Sequence, residues 1–107
     1  MTHRTHVTVL LSSSRVSGID IALSLAEAHP QLLVVLCDAA TPLARHDHPN
    51  AALIQNLLHQ QVTVYAEAAA CARRGIDHKR LADGVTMVDT NTIADELVDA
   101  TTKVVWL

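Results

Sequence analysis

The run Leu32-Leu33-Val34-Val35-Leu36-Cys37 has no polar break, and this stretch decides the fold of the chain. A strand with one solvent-facing side alternates apolar and polar residues, whereas a continuous apolar run suits a strand that is buried on both faces. Such strands are typical of parallel sheets, because crossover helices cover the two faces of the sheet. The run therefore predicts a central strand of a parallel sheet.

Four more apolar runs, rich in β-branched residues, flank this one. They are Val7-Thr8-Val9-Leu10-Leu11, Val62-Thr63-Val64-Tyr65-Ala66, Val85-Thr86-Met87-Val88 and Val104-Val105-Trp106-Leu107. Segments with helical spacing of apolar residues fill the gaps at 17–29, 49–61, 68–74 and 92–100, and 77–83 adds a short turn. Alternating strands and helices predict an α/β domain, a three-layer α/β/α sandwich with a five-stranded, mainly parallel sheet and right-handed crossovers.

Several helix ends are marked in the sequence. Ser17 with Asp20 three residues on resembles a capping box at the first helix. Thr90 or Asn91 is the expected cap of the last helix, and Gly75 is the expected residue after the third. The remaining segment, 38–50, is expected to be one long polar loop.

Length and composition exclude several classes of protein. The chain has 107 residues, 50% hydrophobic and 18% charged, which predicts one folded domain over 1–107 rather than disorder. Two cysteines are too few for a disulfide scaffold, and no stretch approaches the roughly 20 apolar residues of a membrane span. The first six residues lead directly into a strand, which is not a secretory pattern, so we expect a cytoplasmic protein with reduced thiols.

Charge and aromatic content argue against a nucleic-acid binder. Eight Lys and Arg residues stand against eleven Asp and Glu residues, for a net charge of −3. A dedicated nucleic-acid binder would show a basic excess. Tyr65 and Trp106 are the only aromatic residues, and two are too few for a platform on which bases stack.

Candidate site residues are those that follow the strands, because ligands of open parallel sheets bind beyond the carboxyl ends of the strands. Ser12, Ser13, Ser14 and Arg15 follow the first strand, Cys37 and Asp38 the second, Glu67 and Cys71 the third, and Asp89, Thr90 and Asn91 the fourth. A helix N-terminus and the nearby Arg73 and Arg74 predict a lowered pKa for Cys71. The alternative is that Cys71, in an Ala-rich helix, is a small buried apolar residue.

Two further patterns suggest ligands. The serine loop with Arg15 is a candidate anion site at the next helix N-terminus, although it lacks the glycines and lysine of a P-loop. His46-Asp47-His48 resembles part of a metal site but needs further ligands, such as His3 or His6, so a solvated loop is the favoured interpretation. We expect no metal and no cofactor, and the absence of a G-x-S-x-G elbow argues against a serine hydrolase.

The third strand and its helix carry a family resemblance. Val62-Thr63-Val64-Tyr65-Ala66 followed by Ala70-Cys71-Ala72-Arg73-Arg74-Gly75-Ile76 resembles the V-Y-A … A-R-G-hydrophobic signature of the DsrE/DsrF/DsrH sulfur-relay family, which includes the Tus and YchN-like proteins. Three other segments are similar to family motifs: Leu36-Cys37-Asp38, Leu81-Ala82-Asp83-Gly84-Val85 and the DsrH-type ending Val104-Val105-Trp106.

This resemblance implies a flavodoxin-like domain that assembles with copies of itself or with homologous subunits. Members with a suitably placed cysteine carry sulfur as a persulfide between donor and acceptor proteins, whereas others are silent subunits. The carrier position falls on Glu67 in this chain, and Cys71 lies one helical turn later. Three hypotheses follow: a sulfur relay on Cys71, a silent assembly subunit, and a small-molecule or anion binder at 12–15 and Asp38.

Overall fold

Strands and helices alternate along the chain in the computed structural model, which describes residues 6–99 and 102–107. Its strands are β1 His6–Leu11, β2 Leu33–Leu36, β3 Thr63–Glu67, β4 Val85–Val88 and β5 Thr102–Trp106. Its α-helices are α1 Ser17–Ala28, α2 Ala51–His59, α3 Ala68–Arg73 and α4 Thr90–Val98, and 3₁₀ helices span Asp38–Ala44 and His78–Arg80. None of these helices is both long and apolar enough to cross a membrane.

The strands form one sheet in the order β4-β3-β2-β1-β5, and every pair is parallel. Val34 of β2 pairs with Val9 of β1 on one side and with Val64 of β3 on the other. All four residues of β2 are buried, as the continuous apolar run requires. The predicted α/β class with a five-stranded parallel sheet is confirmed.

Alternate residues of each strand face two helical layers of unequal size. The larger core packs Ile19 of α1, Ile54 of α2 and Cys71 of α3 against one face of the sheet. The smaller core packs Ile93 of α4 against Leu10, Leu33 and Val35 on the other face. The chain moves one way from β1 to β4 and then returns to β5. With right-handed crossovers, this reversal places α4 opposite the other three helices.

The segment 38–50 differs from the expected polar loop in its first half. Residues Asp38–Ala44 form a 3₁₀ helix that buries Ala40, Leu43 and Ala44 in the larger core. Its buried hydroxyl, Thr41 Oγ1, donates to the Asp38 carbonyl at 2.9 Å, so the polar group is satisfied. The prediction was wrong here because the segment has small apolar residues but no helical or strand period that would reveal their burial.

Two of the three predicted helix ends also differ. The N-cap of α1 is Val16, with no side-chain cap, so the Ser17 capping box does not form. The N-cap of α4 is Asp89, not Thr90 or Asn91. Gly75 does follow α3, with φ of 67°. Asp89, Thr90 and Asn91 are all residue types that favour the N-cap position. Because β4 ends at Val88, Asp89 is the first residue after the strand and takes that position.

Candidate functional site

The ends of β2 and β3 bring two carboxylates and an arginine together. Glu67, the last residue of β3, accepts a hydrogen bond on Oε1 from the Asp38 backbone N–H at 3.2 Å. The Asp38 carboxylate lies 3.5 Å from the Arg74 guanidinium, beyond the end of α3. Asp38 and Glu67, two of the candidate residues that follow the strands, therefore lie together at one edge of the sheet, and Arg74 joins them.

Asp38 has a backbone conformation that fixes this arrangement. Its φ is 48°, in the left-handed region that few residues other than glycine, asparagine and aspartate adopt. This conformation turns the chain out of β2 and into the 3₁₀ helix, with the Asp38 N–H directed at Glu67. The Asp38 N–H, which could otherwise donate to an anionic ligand, therefore already donates to the Glu67 carboxylate.

Cys37 lies half-buried beside these carboxylates. Burial first, and then the negative charges of Glu67 and Asp38, raise the pKa of its thiol to about 11. A thiol with that pKa is almost wholly protonated at neutral pH, and the thiolate is the form that attacks electrophiles. The environment of Cys37 therefore suppresses nucleophilic chemistry.

Cys71 is buried in the larger core, with 0% of its surface exposed. Burial is the main reason that the pKa of its thiol is raised, Glu67 raises it further, and only Arg74 acts in the opposite direction. The expected lowering of the Cys71 pKa by cationic neighbours was therefore wrong, because removal from water outweighs one partly exposed guanidinium. The burial of Cys71 agrees with the alternative interpretation, in which it is a small apolar residue of the core.

The end of α3 explains why Cys71 is covered. The Ile76 N–H donates to the Cys71 carbonyl at 2.9 Å, and the Gly75 N–H donates to the Ala72 carbonyl at 3.2 Å. These two bonds define a Schellman motif, in which the chain turns back over the last turn of the helix. Ile76 is buried in the same core as Cys71, so the motif returns an apolar side chain to the core that contains the thiol.

The serine loop lies at the end of β1, two strands away from β3. Ser12 Oγ accepts from the Trp106 indole N–H at 3.2 Å, and Ser13 Oγ accepts from the Arg15 N–H at 3.4 Å. Ser13, Arg15 and the start of α1 line a cavity of about 410 Å³ whose floor is apolar. Asp20 in the first turn of α1 carries a negative charge toward this end, which works against an anion there.

The residues of the predicted metal fragment, His46-Asp47-His48, bond to other groups of the protein. His48 Nδ1 accepts from the Asn50 N–H at 3.0 Å, and Asp47 lies 3.4 Å from the Arg45 guanidinium. The backbone N–H of His46 donates to the Arg80 carbonyl at 2.9 Å. Within residues 6–99 and 102–107, no three His, Cys, Asp or Glu side chains gather as a metal site would require; His3 lies outside the described residues.

Two residues outside the predicted site prove relevant to it. Arg74 pairs with Asp38, and Trp106 projects from β5 with 72% of its surface exposed. The sequence identified Arg74 only as a cation near Cys71, and no pattern in it indicated the pairing with Asp38. For Trp106, the signal was a single large aromatic residue in an edge strand.

The five-stranded parallel sheet and its helices define a YchN-like α/β fold. The crystal structure of YchN from E. coli matches with a TM-score of 0.81 and 20% identity over 97% of this chain and 99% of YchN. At 16% identity, a protein of unknown function from Methanobacterium thermoautotrophicum matches with a TM-score of 0.80, over 95% of this chain and 98% of its own.

A conserved protein of unknown function from Bacteroides thetaiotaomicron has the same fold, with a TM-score of 0.80 and 16% identity over 96% of this chain and 95% of its own. Identities this low show a shared fold and nothing finer. The chain matches no known family by sequence, and it matches no curated protein.

Proposed function

We propose that this chain is a non-relaying assembly subunit of the sulfur-relay type, which packs against copies of itself or homologous subunits without carrying sulfur. The observation that carries the proposal is the burial of Cys71, which has 0% of its surface exposed. In addition, the last residue of β3 is a glutamate, Glu67. A carboxylate cannot form a persulfide, and a thiol enclosed in the core cannot meet a sulfur donor. The family resemblance and the YchN-like fold supply the setting for the proposal.

Exposed apolar side chains on the edge strand β5 support the assembly role. Val104 is 40% exposed and Trp106 is 72% exposed, and both lie on the α4 face of the sheet. Among the described residues, α4 is the one helix on this face, and its core contains neither Val104 nor Trp106. Large apolar residues grouped at a sheet edge favour contact with another chain.

Thiol reactivity tests the proposal directly. The Cys37→Ala variant leaves Cys71 as the single thiol, and the matched Cys71→Ala variant leaves Cys37. Each is alkylated with iodoacetamide over a range of pH, folded and in urea, and is separately exposed to inorganic polysulfide, with mass spectrometry as the readout. We expect folded Cys71 to react at least about tenfold more slowly than a model thiol and to gain no sulfur.

The opposite result would identify a relay. Cys71 would have to react faster than the model thiol in the folded protein and take up sulfane sulfur from polysulfide. That outcome would require α3 to open around the Schellman motif, and it would restore the relay hypothesis in place of the assembly role.

A further inference from the structure

An apolar groove lies along α3 and the edge strand β4. It encloses about 420 Å³ and is lined by Ala68, Ala72, Gly75, Ile76, Asp77 and Met87. A side chain at Gly75 would meet no atom within 4 Å, so the groove is open to solvent above this position. The Asp77 carboxylate accepts from the Lys79 N–H at 3.1 Å, so it is directed at its own turn. The remaining lining is apolar and includes the adaptable side chain of Met87.

A basic segment, residues 73–80, runs past this groove. It holds Arg73, Arg74, Lys79 and Arg80, which are four of the chain's eight Lys and Arg residues, and one of its eleven Asp and Glu residues. All four cationic side chains are exposed. The bridge between Arg45 and Leu81 brings Arg45 to the same region. Because Arg45 pairs with Asp47 and Arg74 pairs with Asp38, the positive charge available to a ligand comes mainly from Arg73, Lys79 and Arg80.

Positive charge is absent from the helices elsewhere. Neither α1 nor α4 contains a Lys or Arg residue, whereas Asp20 and Glu27 lie in α1, and Asp95 and Glu96 lie in α4. Residues 73–80 therefore concentrate positive charge in a chain whose net charge is −3. That region adjoins the groove, so a ligand of opposite charge would be drawn to it.

We propose that the groove and the basic segment together bind an acidic segment of a partner protein that carries apolar anchor side chains. The groove accepts the anchors, and the cations of 73–80 pair with the flanking carboxylates. A nucleic acid fits less well because Tyr65 and Trp106, the only aromatic residues, lie on the opposite, α4 face of the sheet. This surface is separate from the β5 edge to which the assembly role is assigned.

Fluorescence anisotropy with defined probes tests this proposal. One labelled peptide of about 14 residues consists of Glu and Asp with two leucines, a second has serine in place of the leucines, and a third probe is oligothymidine of similar length. The Arg73→Glu/Lys79→Glu variant reverses charge beside the groove. The matched control, Arg15→Glu/Lys103→Glu, makes the same change in net charge at exposed positions elsewhere.

We expect the leucine peptide to bind the unmodified chain and to bind the Arg73→Glu/Lys79→Glu variant at least about tenfold more weakly, with the control within about twofold. We also expect the serine peptide to bind several-fold more weakly than the leucine peptide. Circular dichroism melting verifies that both variants fold.

Five results would overturn the proposal. No binding of the leucine peptide at about 1 mM would do so, as would equal weakening in both double variants, or equal affinity for the two peptides. Tighter binding of oligothymidine would assign the region to nucleic acid. A change in oligomeric mass in the Arg73→Glu/Lys79→Glu variant alone would show that a second copy of the chain fills the groove.

Discussion

Cys71 is a core residue, and its complete burial favours a small apolar side chain over a polar one. We predict that Cys71→Ser lowers the free energy of unfolding by about 1–3 kcal/mol, because a hydroxyl placed at 0% exposure loses its water hydrogen bonds. Cys71→Ala should cost less, since it leaves only a small cavity. Urea denaturation of both variants measures the difference. A Cys71→Ser variant as stable as Cys71→Ala would contradict the burial.

Asp89 shows how one exposed carboxylate contributes to a helix. Its Oδ1 accepts from the Thr92 N–H at 2.8 Å and from the Thr92 hydroxyl at 2.9 Å. These hydrogen bonds lower the pKa of Asp89 from its ordinary value. A carboxylate whose pKa is lower in the folded state stabilises the fold above the unfolded pKa of about 3.9 and loses that contribution as the pH falls through the folded value.

The Asp89→Asn variant isolates this charge, because asparagine keeps an acceptor oxygen but does not ionise. We predict that the unmodified chain melts above Asp89→Asn at about pH 7 and that the difference disappears by about pH 2. Asp89→Ala, which removes the acceptor as well, should melt lower than Asp89→Asn at neutral pH. Thermal melts at a series of pH values provide the measurement, and a difference that persists in acid would contradict the assignment.

At the scale of elements, the end of α3 is the feature on which the site depends. Gly75 has φ of 67°, and no atom lies within 4 Å of where its side chain would be. We predict that Gly75→Ala lowers the free energy of unfolding by about 1 kcal/mol through backbone strain alone. Gly75→Asn should cost less, because asparagine adopts this conformation more readily. Equal losses in urea denaturation would point to a different cause.

The elements also show what the sequence can and cannot predict. The apolar run 32–37 predicts β2, because burial on both faces leaves a signal in every residue of the strand. The meeting of Asp38 with Glu67 follows from the same logic, since parallel strands end at one edge. The burial of Cys71 does not follow: α3 has six residues, all but one of them small, and its covering depends on Ile76 and on a 3₁₀ helix that has no periodic pattern.

At the scale of the whole molecule, the two helical layers are unequal and Trp106 projects from the thinner side. We predict that the chain elutes with a mass above that of one copy and that Trp106→Asp reduces this mass toward a monomer. Ile21→Asp is the matched control, because Ile21 is also exposed, at 44%, but lies on α1. Light scattering coupled to size-exclusion chromatography gives the masses, and an unchanged mass for Trp106→Asp would remove β5 from the interface.

The pairing of β1 with β5 matters for how the nascent chain folds. β1 lies between β2 and β5, so it finds the second of these neighbours only when β5, far later in the chain, emerges from the ribosome. Until then, β1 presents an open backbone edge in an apolar segment, which is the kind of surface that chaperones and other nascent chains bind. Because the entropy of closing a loop grows only slowly with its length, this late pairing delays folding more than it weakens the finished fold.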